Sequence, residues 1–463
     1  MSKVISKEQL SKVFHAYDIR GRVPGELDED FFEALGTAFA HFLKAKKVIV
    51  GHDIRTESKT FMDALVRGIR SHGCDVVDAG EIATEMIYFA TGSDDSYDGG
   101  IIITASHNPT GWNGAKMVAR GARALSGDYG LNEIQNLMLN PAPQSSTEGS
   151  YARIDLYPEF KKKILNFLGD SDLSSMNLIV DAGNGIGGKI FDYIFDETGA
   201  NIERMYFEPD GTFPNHVPNP LEEENVKEIK EKCKERNAIG IALDGDSDRA
   251  FFIDSKGRNP SGAYTGAIFA KYFIGKEPGA KIIHDPRVIW AIQKEIEKLG
   301  GVSIINKPGH SFFKDRMKKE NAVFACELSS HFYYRDFFFA DTGMATVAVM
   351  LKILAEGLDL SKELDYFYET YPASGEINFE VENIPEVIER LEKEYSDGKK
   401  DTTDGISIEY DDWRFNVRSS NTQPLLRLNI EGISKELIIE HYKKMKELIG
   451  GERMNEPALA GLD

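Results

Sequence analysis

AIGIALDGDSDR (238–249) is a short apolar run that passes directly into a loop with carboxylates at alternate positions, Asp244, Asp246 and Asp248. Two other stretches share this grammar: GGIIITASHNP (99–109) and NAVFACELSSH (321–331) also carry an apolar strand into an unusual polar loop. Upstream of each lies a further apolar strand that ends at an aspartate, in VIVGHDIR (48–55), LIVDAGNG (178–185) and KIIHDPR (281–287). In every case a helical segment follows, then Gly73, Gly199 or Gly300, then another strand. Strand, helix and strand repeated three times predict an α/β fold, with mostly parallel sheets covered by helices. Ligands of open α/β sheets bind beyond the carboxyl ends of the strands. The repeat therefore places three polar loops at equivalent sheet edges, which are expected to face a central cleft.

Working outward, NPAPQSSTEGS (140–150), DSKGRNPSG (254–262) and YPASG (371–375) interrupt the pattern with turn-forming residues. They divide the chain into expected domains at 1–150, 151–256, 257–371 and 372–463. The last piece differs in kind. From Glu376 it alternates strand-like runs (INFEV, ISIEY, LLRLNIE) with charged helical stretches near 384–396 and 434–449, an α+β pattern. Its final dozen residues are expected to fray, and Tyr371–Gly375 is expected to act as a hinge.

A chain of 463 residues suits three or four domains at roughly 100–200 residues each. With 41% hydrophobic and 28% charged residues it has an ordinary soluble composition, and no apolar run approaches the roughly 18 residues that span a bilayer. MSKVISKEQLSKVF lacks the apolar stretch of a signal peptide, so a cytoplasmic location without a membrane partner is expected. Cys74, Cys233 and Cys326 are odd in number and widely spaced, which fits neither a disulfide framework nor a zinc site. A formal charge of −20 disfavours nucleic acid as a partner. Oligomeric state is not legible in the sequence.

The acidic loop is the most specific signal. Unpaired, its carboxylates repel one another, and a hard divalent cation with oxygen ligands resolves the repulsion. An EF-hand is excluded, because it requires glycine and glutamate where Arg249 and Ser255 stand. The aspartate-nucleophile phosphatase pattern wants Thr or Val at the position of Asp248. Thr104-Ala105-Ser106-His107-Asn108-Pro109 is either a capped turn or a reactive loop. A serine-hydrolase reading fits poorly, since G-x-S-x-G is absent and neighbours in an extended strand point to opposite sides, separating Ser106 from His107. Arg418-Ser419-Ser420-Asn421-Thr422-Gln423-Pro424, with Arg427 beyond, gathers amides, hydroxyls and guanidinium groups into a phosphate cradle. Gly183-Asn184-Gly185-Ile186-Gly187-Gly188 matches a dinucleotide fingerprint, but the equivalent turns HDIR and HDPR lack its glycines, so a close helix-to-strand turn is the better reading.

Taken together, AYDIRG (16–21), TASHNP (104–109), DGDSDR (244–249), KPGHS (307–311), ELSSH (327–331) and RSSNTQP (418–424) appear in one order along nearly the whole chain. In this the sequence resembles the α-D-phosphohexomutases, and within them the phosphomannomutase/phosphoglucomutase branch. The resemblance implies three repeated α/β/α domains and a smaller C-terminal α+β domain around a central cleft. It implies that Ser106 is a phosphoserine, and that Asp244, Asp246 and Asp248 hold one Mg²⁺ per chain with a Ser106 phosphate oxygen as fourth ligand. Tyr17, Arg20, Arg287, His310, Glu327, Ser329 and His331 are implied to bind the sugar, and Arg418, Ser420, Asn421, Thr422 and Arg427 the distal phosphate. Lys116, His107 and His310 are the candidates for proton transfer, and Arg249 and Arg20 join Ser106 in the catalytic set.

Charge counting agrees. Three carboxylates and a phosphoryl group of about −2 leave a strongly negative site even with a divalent cation. Arg20, Lys116, Arg249, Arg287, Arg418 and Arg427 lie in or beside the motif loops, so an acidic chain concentrates positive charge there. The expected activity is interconversion of hexose 6-phosphate and hexose 1-phosphate, of mannose or glucose, with a hexose 1,6-bisphosphate as intermediate and activator. The rivals are a phosphoglucosamine mutase, which typically has glutamine where Leu328 stands, a non-catalytic sugar-phosphate binding protein and a phosphatase. The sugar loop departs from the family's usual pattern at Cys326 and Ser330, where glycine is usual, and Gln423 stands where an acid is common.

Overall fold

In a computed structural model of the chain, residues 5–141, 143, 145–420, 425–455 and 459 are described. They form two compact units. One comprises the residues up to Asn259 with Gly309–Lys318 and His331–Gly357; the other comprises Pro260–Pro308, Lys319–Ser330 and the residues from Leu358 onward.

In the first unit, strand Lys47–His52 runs parallel between Asp75–Glu81 and Gly99–Ile103, with Val48 opposite both Val76 and Gly99. Helix Ser58–Ser71 makes the crossover, and Gly73, at φ +83°, turns the chain back toward the sheet. The second repeat copies this arrangement: Asn177–Asp181 runs parallel between Asn201–Met205 and Ile239–Leu243, with helix Gly187–Phe195 as the crossover and Gly199 at φ +85°. The central strands are buried almost throughout, which explains continuous apolar runs in place of alternation. After each third strand the chain loops and returns antiparallel. Trp112–Ala119 lies beside Gly99–Ile103, and Ala250–Ile253 lies beside Ile239–Leu243. Both polar loops of this unit are thus clamped between a buried strand and its return partner. Helix Gly343–Ala355, apolar on nearly every side, packs against Tyr157–Leu168.

In the second unit, Lys281–His284 runs parallel between Val302–Ile305 and Phe324–Cys326, the third copy of the same order. Its C-terminal sheet has six strands, in the order Lys399–Asp401, Ile406–Glu409, Trp413–Ser419, Leu425–Gly432, Ile377–Glu380, Glu452–Arg453, all antiparallel. Helices Ile384–Glu394 and Lys435–Ile449 pack on it around Phe379, Leu391, Phe415, Leu428 and Tyr442. The α+β expectation holds, with two corrections. Arg418 and Ser419 end a strand and are not part of an open loop. Of the final dozen residues expected to fray, Glu452–Arg453 form a strand that pairs with Phe379 and Glu380, and 456–458 and 460–463 lie outside the described residues.

The segment expected to act as a hinge is hydrogen-bonded to the C-terminal sheet. Ser374 N–H donates to the Ile430 carbonyl (2.8 Å), and Gly432 N–H to Pro372 (3.3 Å). Buried Arg414 and Glu431 add a bolt within this unit. Glu431 accepts from the amides of Ile289 and Trp290 at the start of helix Trp290–Lys298 and pairs with Arg414, which also donates to the carbonyls of Pro286 and Arg287. Among the described residues, no helix is long and apolar enough to cross a membrane.

Candidate active site

The first polar loop leaves strand Gly99–Ile103 and turns at Ser106, whose φ of +49° lies in the left-handed region. Ser106 N–H donates to Thr104 Oγ1 at 2.9 Å, and Asn108 N–H to the Ala105 carbonyl at 3.0 Å. This turn overturns the expectation that Ser106 and His107 point apart: extended alternation is cancelled at Ser106, and its Oγ lies 3.3 Å from His107 Nδ1. Arg20 donates to the Ala105 carbonyl (3.1 Å) and to the Asn108 side chain, while its Nε is paired with Asp18 at 2.8 Å.

The acidic loop lies directly against the serine loop. A Cβ on Gly245 would sit 2.4 Å from the Ser106 carbonyl oxygen, so glycine between two aspartates is what lets the loops meet. Ser106 Oγ donates to Asp244 Oδ2 at 3.0 Å. Asp244, Asp246 and Asp248 are buried, each with a carboxylate oxygen within 4.8 Å of the others. Lys116 Nζ donates to Asp246 Oδ2 at 2.7 Å and also to Asp248, Thr84 Oγ1 donates to Asp246 Oδ2 at 2.6 Å, and Arg249 Nε donates to Asp244 Oδ2 at 3.0 Å. Oδ1 of Asp246 and Oδ1 of Asp248 are buried and accept no hydrogen bond. Buried carboxylate oxygens without donors are costly unless a cation supplies the missing partner. The triad therefore fits a hard metal ion.

The surroundings set the protonation states. Burial, with Arg249 and Arg20 alongside, pushes His107 well below the ordinary histidine range, and Arg249 Nη2 donates to its Nδ1. Burial would lower Lys116, but Asp246 and Asp248 outweigh it and hold the ammonium above its ordinary value. Burial and the other two carboxylates push Asp244 up to about 7 against the pull of Arg249. His310, in edge contact with the Tyr17 ring at 5.4 Å, is driven down to about 4 by burial and Lys314. His331 Nε2 lies 3.9 Å from Asp248 Oδ1 and is likewise held neutral by burial and Arg249.

The second unit holds the other candidates. Asp285 Oδ2 accepts from the Leu328 amide at 2.6 Å and from Arg287 Nη2 at 2.5 Å, tying the 327–331 loop to the end of strand Lys281–His284. Glu327 is buried, and it and Glu376 act with Asp285 to hold Arg287 above its ordinary value despite burial. Arg427 pairs with Glu376 at 3.0 Å, and Arg418 lies 3.4 Å from both Glu376 and Asp404. Ser420 N–H closes on the Leu425 carbonyl at 2.8 Å. Ser329 lies in the sugar loop and is half-buried. Asn421, Thr422, Gln423 and Pro424 lie outside the described residues.

The departures from the family pattern now have positions. Ser330 adopts φ +63°, so the loop does take the left-handed shape that glycine favours, and its N–H donates to the Glu327 carbonyl at 3.0 Å. Cys326 sits at a strand end, and its Sγ would lie 2.5 Å from a Cβ at Gly266; the extra side chain on one element is matched by its absence on the other. The glycine-rich turn at 183–188 also has a packing cause, since a Cβ on Gly185 would meet the Gly245 carbonyl at 2.8 Å.

Several residues escaped the sequence reading. Arg55 and Thr84 brace the two loops, Lys314 pairs with Asp341 at 2.6 Å beside His331, and Glu376 and Asp404 face Arg418. The repeated HDIR and HDPR endings were the available signal for Arg55, because both place an arginine two residues after the strand-ending aspartate.

Family models match the chain in order. These are phosphoglucomutase/phosphomannomutase alpha/beta/alpha domain I at residues 11–144, domain II at 156–257, domain III at 261–371 and the C-terminal domain at 376–445. They define the class: the protein is a phosphohexomutase, an intramolecular phosphotransferase built from three α/β/α domains and a smaller C-terminal one. The chain belongs to the phosphoglucomutase/phosphomannomutase family. It is 40% identical over 433 residues to a phosphohexose mutase of Xanthomonas campestris, covering 92% of this chain and 96% of that one. It is 40% identical over 430 residues to a phosphomannomutase of Escherichia coli K12, covering 90% and 94%. Among solved structures, a phosphoglucomutase/phosphomannomutase family protein of Burkholderia thailandensis superposes with a TM-score of 0.86 at 31% identity, covering 96% of this chain and 99% of that one.

Proposed function

We propose that the chain interconverts the 1- and 6-phosphates of mannose and glucose, with Ser106 as the phosphoryl carrier. The observation that carries this reading is the hydrogen bond from Ser106 Oγ to Asp244 Oδ2, inside a buried carboxylate triad with two donor-free oxygens. Asp244, Asp246 and Asp248 would hold Mg²⁺ together with a Ser106 phosphate oxygen. When bound, the ion neutralises charge on the moving phosphoryl group.

Phospho-Ser106 gives its group to the free hydroxyl of a hexose monophosphate; the O–P bond to serine breaks as the bond to sugar forms, and the sugar's proton is lost. The resulting bisphosphate reverses its pose, and Ser106 Oγ takes the other phosphoryl group. A hexose 1,6-bisphosphate supplied from outside primes the serine. Lys116 and Arg249 are charged and stabilise the transfer, whereas neutral His310 is the group able to accept the hydroxyl proton, the lone pair of His107 Nδ1 being taken by Arg249 Nη2. Arg20 braces the serine loop, and Tyr17 and His331 complete the sugar-side wall. Arg287, Arg418, Ser420 and Arg427 hold the distal phosphate, which replaces Glu376 and Asp404 as the anion facing the arginines. Glu327 and Ser329 read sugar hydroxyls present in both poses.

The test is intact mass after incubation with glucose or mannose 1,6-bisphosphate, followed by turnover on mannose, glucose and glucosamine phosphates. One phosphate adduct on Ser106, discharged by hexose monophosphates with isomerisation, is expected. Its absence sinks the reading. Faster turnover of glucosamine phosphate shifts it to the amino-sugar branch, and phosphate release without isomerisation to a phosphatase.

Asp244 adds a pH prediction. Its carboxyl is raised above its unfolded value, so the metal-free protein binds an extra proton between the usual carboxylate range and about 7, and loses stability as pH rises through that window. Asp244 would have to lose that proton to hold a cation. Calorimetry in buffers of different ionisation heat is expected to show about one proton released per cation near pH 6 and almost none near pH 8.5. Equal release at both pH values would contradict it.

A further inference from the structure

We infer that Arg55 is a positioning residue for phosphoryl transfer, holding the Ser106 turn in the geometry that receives and returns the phosphoryl group. The inference rests on Ser106 being the phosphoryl carrier. Arg55 is 4% exposed. Its Nη2 donates to the carbonyls of Ser106 (2.7 Å) and Asn108 (2.5 Å), and its Nη1 to those of Pro109 (3.1 Å) and Trp112 (3.1 Å). One guanidinium thus gathers four carbonyls of a single turn, and the hydrogens of both Nη atoms are committed to the loop. Whatever Arg55 does for the reaction it does through Ser106.

The turn needs such a brace. Ser106 sits at φ +49°, a conformation disfavoured for any residue with a Cβ and held only where the surroundings over-determine it. Arg55 is itself anchored: its N–H donates to Asp53 Oδ1 at 3.0 Å, its Nε lies 3.4 Å from Asp53 Oδ2, and Ser58 Oγ donates to Asp53 Oδ1 at 2.6 Å. The brace therefore begins at the end of the central strand and reaches the reactive serine through two side chains. A lysine cannot replace it, because its donors radiate from one nitrogen and cannot span four carbonyls in a plane.

The third repeat shows that this is a specific use of the position. Arg287 also follows a strand-ending aspartate by two residues, yet among the described residues its Nη groups donate to Asp285 Oδ2 and to no loop carbonyl, where those of Arg55 hold four. The same repeat position serves as a loop brace in the first copy and leaves donor capacity for a ligand in the third.

Full-length Arg55→Lys and Arg55→Ala are compared with wild type. Displacing a reacting atom by about 1 Å costs about 100-fold in rate. The lysine variant is expected to lose about 100-fold in kcat with KM within about threefold, and its amides at residues 104–112 to exchange hydrogen faster while the C-terminal sheet is unchanged. Methylguanidinium is expected to restore part of the kcat of the alanine variant. Wild-type kcat in Arg55→Lys, a loss carried by KM, or unchanged exchange at 104–112 would overturn the proposal. If the alanine variant fails to fold, the lysine variant decides. Failure of the underlying reading looks different: wild type then takes no phosphate on Ser106 while exchange at 104–112 in the lysine variant still rises, which leaves a loop brace and removes its role in transfer.

Discussion

Ser106→Ala is expected to take up no phosphate from a hexose bisphosphate and to lose hexose phosphate isomerisation by about 10⁴-fold or more, because the proposed covalent step then has no carrier. The fold should survive. The substitution removes one hydroxyl, whose hydrogen bond to Asp244 Oδ2 is worth about 1 kcal/mol, and Asp244 keeps its bonds from Arg249. Alanine adopts the left-handed turn no less readily than serine, and Arg55 still engages the same carbonyls. Unfolding by heat should therefore stay close to wild type while turnover collapses, and binding of a hexose monophosphate to the C-terminal arginines should persist. Phosphate still incorporated into the alanine chain, or residual isomerisation near the wild-type rate, would assign the carrier to another group. His107 Nδ1 and the carboxylates of the triad are the nearest alternatives to map.

The repeat was legible because three features recur together: an apolar strand ending at aspartate, a helical segment, and a glycine whose positive φ ends it, at Gly73, Gly199 and Gly300. Residues inside the motif loops were legible for the same local reason. Asp244, Asp246 and Asp248 stand at alternate positions, and their proximity within one loop needed no distant information. Partners from elsewhere in the chain were not legible. Thr84 lies 162 positions from Asp246 and carries no motif of its own, and its hydroxyl became visible only when helix Thr84–Ser93 was seen to begin against the acidic loop. Glu376 and Asp404 were missed because an acid among phosphate-binding residues runs against a reading based on positive charge. The geometry of Ser106 and His107 was misread because a strand's alternation was extended one residue past the point where the backbone leaves it.

Lys116→Met is expected to separate what the lysine does for the triad from what the proposed Mg²⁺ would do. Lys116 Nζ is buried and bonded to both Asp246 and Asp248, so methionine keeps most of the volume and removes the charge. Breaking a buried pair by deleting one partner costs about 3–5 kcal/mol, because the surviving carboxylates have no compensation. The metal-free variant should accordingly unfold at a lower temperature than wild type. Mg²⁺ would then supply the missing charge to the same two carboxylates, whose Oδ1 atoms carry no donor, so its stabilisation should be larger in the variant: at 100 times the dissociation constant, binding alone contributes about 2.7 kcal/mol. Turnover should remain down by about 10²–10³-fold even at saturating Mg²⁺, since the ion restores the charge balance of the loop but not a donor at the position of Nζ. Thermal unfolding with and without Mg²⁺, beside single-turnover phosphoryl transfer, separates these effects. A Mg²⁺ response no larger than that of wild type would mean that lysine and metal do not share the carboxylates. Full turnover at saturating Mg²⁺ would mean that Lys116 balances charge and does nothing further.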